Sequence, residues 1–168
     1  MVIYMRRMRM LGRGGEFEAL IKEMGAEVVD DIIGGTGKGG KEVGKVAELI
    51  VQFFPQLGGV VSEQELQGYK GKPKDMGDYL KVAVAEAIDV KKGMTKDFEV
   101  KAQYLTLLAL DNAWSQHLNN MESLVESVTL RGYRGLDPKI EYQQDGFELF
   151  QGLEGTIRRN AVFSLMNQ

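Results

Sequence analysis

The sequence contains no cysteine, which excludes disulfides and thiolate metal sites but leaves the compartment open, since reducing surroundings permit cysteine without demanding it. It contains one histidine, His117, so no second imidazole is available for a metal or nucleophile arrangement. It lacks a long apolar run. The longest, Leu49 to Phe54, is broken by Gln52 and is far too short to span a bilayer, so the chain reads as soluble. It also lacks a surplus of either charge. Against 21 Lys and Arg stand 24 Asp and Glu, a net charge of -3, and no global basic field exists to hold a nucleic-acid backbone. Nor does a cleavage site with small residues follow Met1. The opening stretch is apolar on one side and basic on the other, which reads as a chain cut within a helix rather than as a signal peptide.

What is present is amphipathic helix punctuated by glycine. With 168 residues, 43% hydrophobic and 27% charged, the chain has the balance of one folded domain or two small ones. Val2 to Leu11 has helical character and stops at Gly12, Gly14 and Gly15. Phe17, Leu20, Ile21, Met24, Val28 and Ile32 predict a helix over 16–33, with Gly25 as its weak point. Gly34 to Gly40 reads as a flexible break. Val43, Val46, Ala47, Ile50 and Val51 predict a helix over 41–54, barred from continuing by Pro55. Ser62 and Glu65 have capping-box spacing ahead of a short helix near Leu66. A further helix is predicted over 78–90, closed by Gly93.

The richest signal lies in the last third. Leu107, Leu110, Trp114, His117, Met121, Leu124 and Val128 recur at spacings of three and four within 97–128, a seam like that of a coiled coil. A helix of that length needs a partner as long. After a nine-residue loop, Asp137 as N-cap and Pro138 at the first helical position open a second seam through Phe147, Phe150, Leu153, Ile157, Ala161 and Ser164. The pair reads as an antiparallel hairpin, and Gly146, Gly152 and Gly155 imply close packing within it. The fold class is all-α. The loop sets Tyr133 between Gly132 and Gly135 and between Arg131 and Arg134. A ring with a hydroxyl on a free backbone can contact any passing polypeptide, and the arginines can reach carbonyls or acidic groups; the alternative is a tyrosine folded back on the hairpin with solvated arginines.

Leu110-Asp111, Trp114, His117-Leu118, Met121, Leu124, Val128, Leu130-Arg131-Gly132-Tyr133, Asp137-Pro138 and Glu141-Tyr142 together resemble the two-helix finger of the SecA preprotein translocases. Upstream, Ile3-Tyr4, Arg7 and Leu11 are similar to that family's long scaffold helix. Val46 to Lys92, with Ser62, Glu65-Leu66 and Tyr79-Leu80, resembles its helical wing. The resemblance implies a first scaffold segment at 1–36, a wing inserted at 37–93, and the scaffold with its finger at 94–168. It implies a segment of a longer ATP-driven motor, with Walker motifs upstream. In such a motor the finger tip, Arg131, Gly132, Tyr133 and Arg134, contacts the unfolded preprotein and the SecY/SecE channel. ATP and magnesium would be bound by the parent's motor domains and no cofactor by this segment. The trp-bearing helix would also face that motor. The location implied is the chloroplast stroma or the bacterial cytoplasm, peripheral to the thylakoid or inner membrane, and the departures around Leu136 lean toward a plastid motor. Leu136 departs from the pattern, which commonly has a Lys or Arg before the Asp-Pro pair, and the family's zinc-binding cysteine tail is missing.

Other motifs are weaker. Gly34-Gly35-Thr36-Gly37-Lys38-Gly39 fails as a phosphate loop, because Ile32 stands where its first glycine belongs and Gly39 where Ser or Thr belongs. His117 reads as a packed, hydrogen-bonded seam residue. Asp30-Asp31 and Asp75 with Asp78 read as caps and solvated faces rather than acid-base pairs. Arg6, Arg7 and Arg9 form a basic cluster suited to anionic lipid or to plain solvation. The competing function, from another class, is a stand-alone helical adaptor whose hairpin binds a partner helix. A self-contained enzyme comes third, since no nucleophile, metal or phosphate constellation is present.

Overall fold

The computed structural model describes residues 15–37 and 41–168, with nothing beyond the backbone at 15 and 16. The expectations placed on Ile3, Tyr4, Arg6, Arg7, Arg9, Leu11, Gly12 and Gly14 lie outside the described residues. Among those residues the chain is all-α, without strands. The helices are α1 (Gly15–Gly35), α2 (Val43–Phe53), α3 (Glu63–Gln67), α4 (Pro73–Met94), α5 (Phe98–Gly132) and α6 (Pro138–Met166), with a short 3₁₀ turn at Pro55–Leu57 after α2.

Helix α1 buries Phe17, Leu20, Ile21, Met24, Val28 and Ile32, the stripe that its spacing predicts. Its main partner is α4. Ion pairs join Glu18 to Lys92 at 2.7 Å, Lys22 to Asp89 at 2.8 Å and Asp30 to Lys81 at 2.8 Å. The two numbering directions oppose each other, so the helices are antiparallel. Gly25 is more than a weak point. An ideal Cβ there would stand 3.0 Å from Val84 Cγ1 and 3.0 Å from Ile88 Cδ1, so its missing side chain lets α4 approach.

Local chemistry sets the element boundaries. Phe54 ends α2 ahead of Pro55 and is itself fully buried. Ser62 Oγ accepts from the Glu65 amide at 3.3 Å, capping α3 as its spacing predicts. Helix α4 starts at Pro73, not near Asp78, and Gly93 lies within it rather than closing it. Proline at the first helical position costs no hydrogen bond, and Lys91 and Lys92 suit the negative end of the helix. Asp97, at φ 55°, then turns the chain into α5.

The carboxyl of Glu18 titrates below its ordinary value of 4.5, first because Lys92 donates to it and then through Lys22, against the opposing effect of burial. A carboxyl depressed in the folded state contributes stability that is present above the ordinary value and lost as pH falls through the lowered one. Glu18→Gln is therefore expected to lower the thermal midpoint slightly at pH 7 and to leave it unchanged once the wild-type carboxyl is protonated. Midpoints across the acid range, for both chains, check this.

Candidate functional site

Helices α5 and α6 form the most extensive pairing in the chain, an antiparallel hairpin. With 35 residues α5 is roughly 52 Å long. The seam of α5 is built from Phe98, Ala102, Thr106, Ala109, Leu110, Ala113, His117, Leu124 and Val128. Helix α6, which also packs on α1, buries Leu153, Gly155, Ile157, Ala161, Val162, Leu165 and Met166. Leu110, His117, Leu124, Val128, Leu153, Ile157 and Ala161 are thus where their periodicity puts them, but Trp114 and Phe147 are not: they are 40% and 62% exposed. Small residues hold the contact line instead and let the backbones approach. Gly146 packs closely, its ideal Cβ 3.3 Å from Met121 Cε, whereas nothing stands within 4 Å of Gly152. His117 is buried by ring packing, with centroids 5.5 Å from Trp114 and 6.0 Å from Phe150, and makes no hydrogen bond to a described residue.

Deeper in the fold, α6 is tied to α1. Arg158 donates through Nε to Asp31 Oδ2 at 2.8 Å and through Nη2 to Oδ1 at 3.0 Å, while its Nη1 lies 3.3 Å from Glu27. The guanidinium is held above its ordinary pKa, first by the hydrogen bond to Asp31, with desolvation opposing. Asp31 is consequently an interhelical anchor rather than a cap or a solvated group, while Asp30 stays on a solvated face, where it pairs with Lys81. Two-pronged Arg–carboxylate geometry of this kind fixes orientation as well as distance.

The end of the hairpin is tighter than the sequence suggests. Helix α5 runs one turn past Val128, so Arg131 and Gly132 are helical and the predicted nine-residue loop shrinks to Tyr133–Asp137. The amides of Tyr133, Arg134 and Gly135 donate to the carbonyls of Leu130, Arg131 and Gly132 at 3.3, 2.9 and 3.1 Å, a tightened last turn. Gly135 then reverses the chain at φ 82°, a conformation that glycine adopts without strain. Asp137 Oδ1 accepts from the Lys139 amide at 2.9 Å and caps α6, with Pro138 at its first position as expected. An ideal Cβ on Gly132 would lie 3.1 Å from Pro138 Cγ, so the two helix ends meet closely.

Of the four tip residues, Tyr133 is 87% exposed and Arg134 is exposed without an ion pair to a described residue. Leu130, Leu136 and Ile140, near the same end of the hairpin in sequence, are exposed apolar residues as well. Arg131 is engaged: its Nη1 donates to Glu141 Oε2 at 2.8 Å and to Asp145 Oδ2 at 2.6 Å, and its Nη2 to Ser127 Oγ at 3.2 Å. The hydrogen bond to Asp145, then that to Glu141, raise its pKa above the ordinary arginine value. Among the described residues no group of three or more His, Asp and Glu is placed to hold a metal ion, and no helix is long and apolar enough to cross a membrane.

The whole chain, residues 1–168, matches the family described as the SecA wing and scaffold domain. The chain belongs to that family. Protein translocase subunit SecA of Trichodesmium erythraeum is 31% identical over 97% of this chain and 18% of its own length. The subunit of the same name from Solidesulfovibrio magneticus is 33% identical over 98% of the chain and 19% of its own. The Synechocystis SecA subunit reaches 46% identity over 45% of the chain. The chain thus spans about a fifth of the length of the first two relatives. No solved structure matches it.

Proposed function

We propose that this chain is the scaffold and wing portion of a SecA-type protein translocase, organised as scaffold at 1–36, wing at 37–93 and scaffold with finger at 94–168. The tip of its hairpin, Arg131 to Arg134, meets the unfolded preprotein and the SecY/SecE channel. The observation that supports this best is Tyr133, almost wholly in solvent at the end of a hairpin about 50 Å long. A ring so placed offers van der Waals contact and a hydroxyl to any polypeptide without reading its sequence. Exposed Arg134 beside it supplies donors to carbonyls and acidic side chains. The rigid pair of helices below transmits displacement to that group. ATP and magnesium belong, in this reading, to the parent's motor domains. The exposed stripe Tyr104, Leu108, Trp114 and Leu118 on α5 packs against them. The setting is peripheral to a membrane, on the bacterial cytoplasmic face or the stromal face of a thylakoid, and the bacterial relatives favour the former.

In the intact translocase, Tyr133→Ala is expected to reduce the polypeptide moved into membrane vesicles per ATP hydrolysed. Unchanged coupling would remove the tip from the mechanism. The isolated chain is expected to give no heat on calorimetric titration with magnesium-ATP. Its one glycine-rich stretch has Ile32 and Gly39 at positions where a phosphate loop needs glycine and a hydroxyl. Micromolar binding would show that the chain carries a nucleotide site of its own.

A further inference from the structure

Resting on the tip reading just given, but narrowing its contact to Tyr133 and Arg134, we infer that Arg131 is a positioning residue: it locks the hairpin end so that those two are presented, and it does not itself touch the polypeptide. The two arginines of the tip have opposite surroundings. Arg134 projects from the turn without a charged partner among the described residues. Arg131 lies on the inward side of the last turn of α5 and spends its guanidinium on three groups from two helices. Ser127 lies one turn back on α5, while Glu141 and Asp145 occupy the first two turns of α6. Glu141 and Asp145 are four residues apart in sequence, on one face of α6, so both carboxylates point at the same nitrogen. The side chains of all three ions are only 25–34% exposed.

This arrangement explains why α5 runs on to Gly132 when the glycines at 132 and 135 favour an open loop. Two carboxylates side by side repel unless a cation stands between them, and Arg131 reaches that place only if its own backbone is helical. The helical Arg131 then supplies the carbonyl that accepts from the Arg134 amide, and its neighbours Leu130 and Gly132 accept from Tyr133 and Gly135. Breaking the clamp releases those three bonds together with the approach of Gly132 to Pro138. The turn then gains the freedom that its glycines allow, and Tyr133 loses its fixed direction. A contact at the end of a lever transmits force only if the end is stiff. A guanidinium with three of its five N–H donors engaged, and its charge already met by two carboxylates, also has less to offer a passing chain.

The test uses amide hydrogen exchange on the full chain and vesicle transport by the intact translocase. Arg131→Gln is expected to speed exchange at Tyr133, Arg134 and Gly135 by about tenfold or more, leaving the α1–α4 amides unchanged. Glu141→Gln with Asp145→Asn removes the other half of the clamp and is expected to loosen the same amides. Both variants should lower transport as Tyr133→Ala does. The exchanged pair, Arg131→Glu with Asp145→Arg, is the deciding arm. Restoration of both slow exchange and transport supports positioning, since the cation then sits on α6 and the tip no longer carries it. Restored exchange with transport still lost would mean that the guanidinium itself meets the polypeptide, and the inference falls. It falls equally if Arg131→Gln or the neutralised acid pair leaves tip exchange at the wild-type rate, or if the exchanged pair restores neither. Wild-type coupling by Tyr133→Ala, by contrast, would sink the tip reading while leaving the exchange result in place.

Discussion

Leu124→Ala is expected to lower the stability of the chain by about 2–3 kcal/mol, while Tyr133→Ala lowers it by no more than about 0.5. Leu124 is 7% exposed and packs toward Gly146, its Cδ2 3.8 Å from an ideal Cβ at that glycine. Truncation removes the side chain's apolar burial and leaves a hole. That hole opens toward the polar groove lined by Gln116, Asn120, Ser123 and Glu148, so water fills part of it, and the loss falls in the lower half of the range for buried leucines. Tyr133 is 87% exposed, and its ring has nothing to lose by removal. In the intact translocase the ranking of the tip should be the reverse, with transport more sensitive than stability. Urea or thermal unfolding of both variants measures the first half. A loss at Tyr133 matching that at Leu124 would show the ring to be packed.

Gly25→Leu is expected to cost more than about 3 kcal/mol or to abolish cooperative unfolding. Alanine at this site brings opposing effects. Helix propensity favours it by about 1 kcal/mol, and the contacts at 3.0 Å to Val84 and Ile88 oppose it by about 1–3 kcal/mol. Both neighbours are 1% exposed and have no room to swing aside. Leucine adds a branched side chain at the same point, which only a parting of α1 from α4 can admit. That parting would strain the ion pairs on either side, Glu18–Lys92 and Lys22–Asp89 below Gly25 and Asp30–Lys81 above it. Thermal unfolding of the alanine and leucine variants would read out the series. A wild-type midpoint for Gly25→Leu would show that the two helices are not in the close register described.

Much of the fold was legible because helix periodicity is a local property. The stripes of α1 and α2, the Ser62 cap and the Asp137-Pro138 start of α6 all lie within a few residues of their causes. The same proline rule applied to Pro73 places the start of α4, which periodicity alone puts near Asp78. Apolar counting misjudged the hairpin seam at Trp114 and Phe147 because it weights large residues. The contact line is carried by Ala102, Ala109 and Ala113, which permit close approach and register weakly as hydrophobic. The exposure of Tyr133 followed from the tip's glycines. The occupied state of Arg131 did not, because the spacing of Glu141 and Asp145 becomes meaningful only once α5 is known to reach Gly132. Asp31 was beyond sequence reasoning altogether, since its partner belongs to another helix far along the chain.

The Arg158–Asp31 pair spans 127 residues. During synthesis at about 5–20 residues per second, α1 emerges roughly 6–25 s before the arginine that anchors it. Helix α4 arrives sooner and shields Gly25 and its neighbours, so the interval leaves bare only the side of α1 that faces α6. Glu27 and Asp31 lie on that side, so the docking of α6 is the last step in covering α1, and that face stays open to the surroundings for as long as the arginine is still being made.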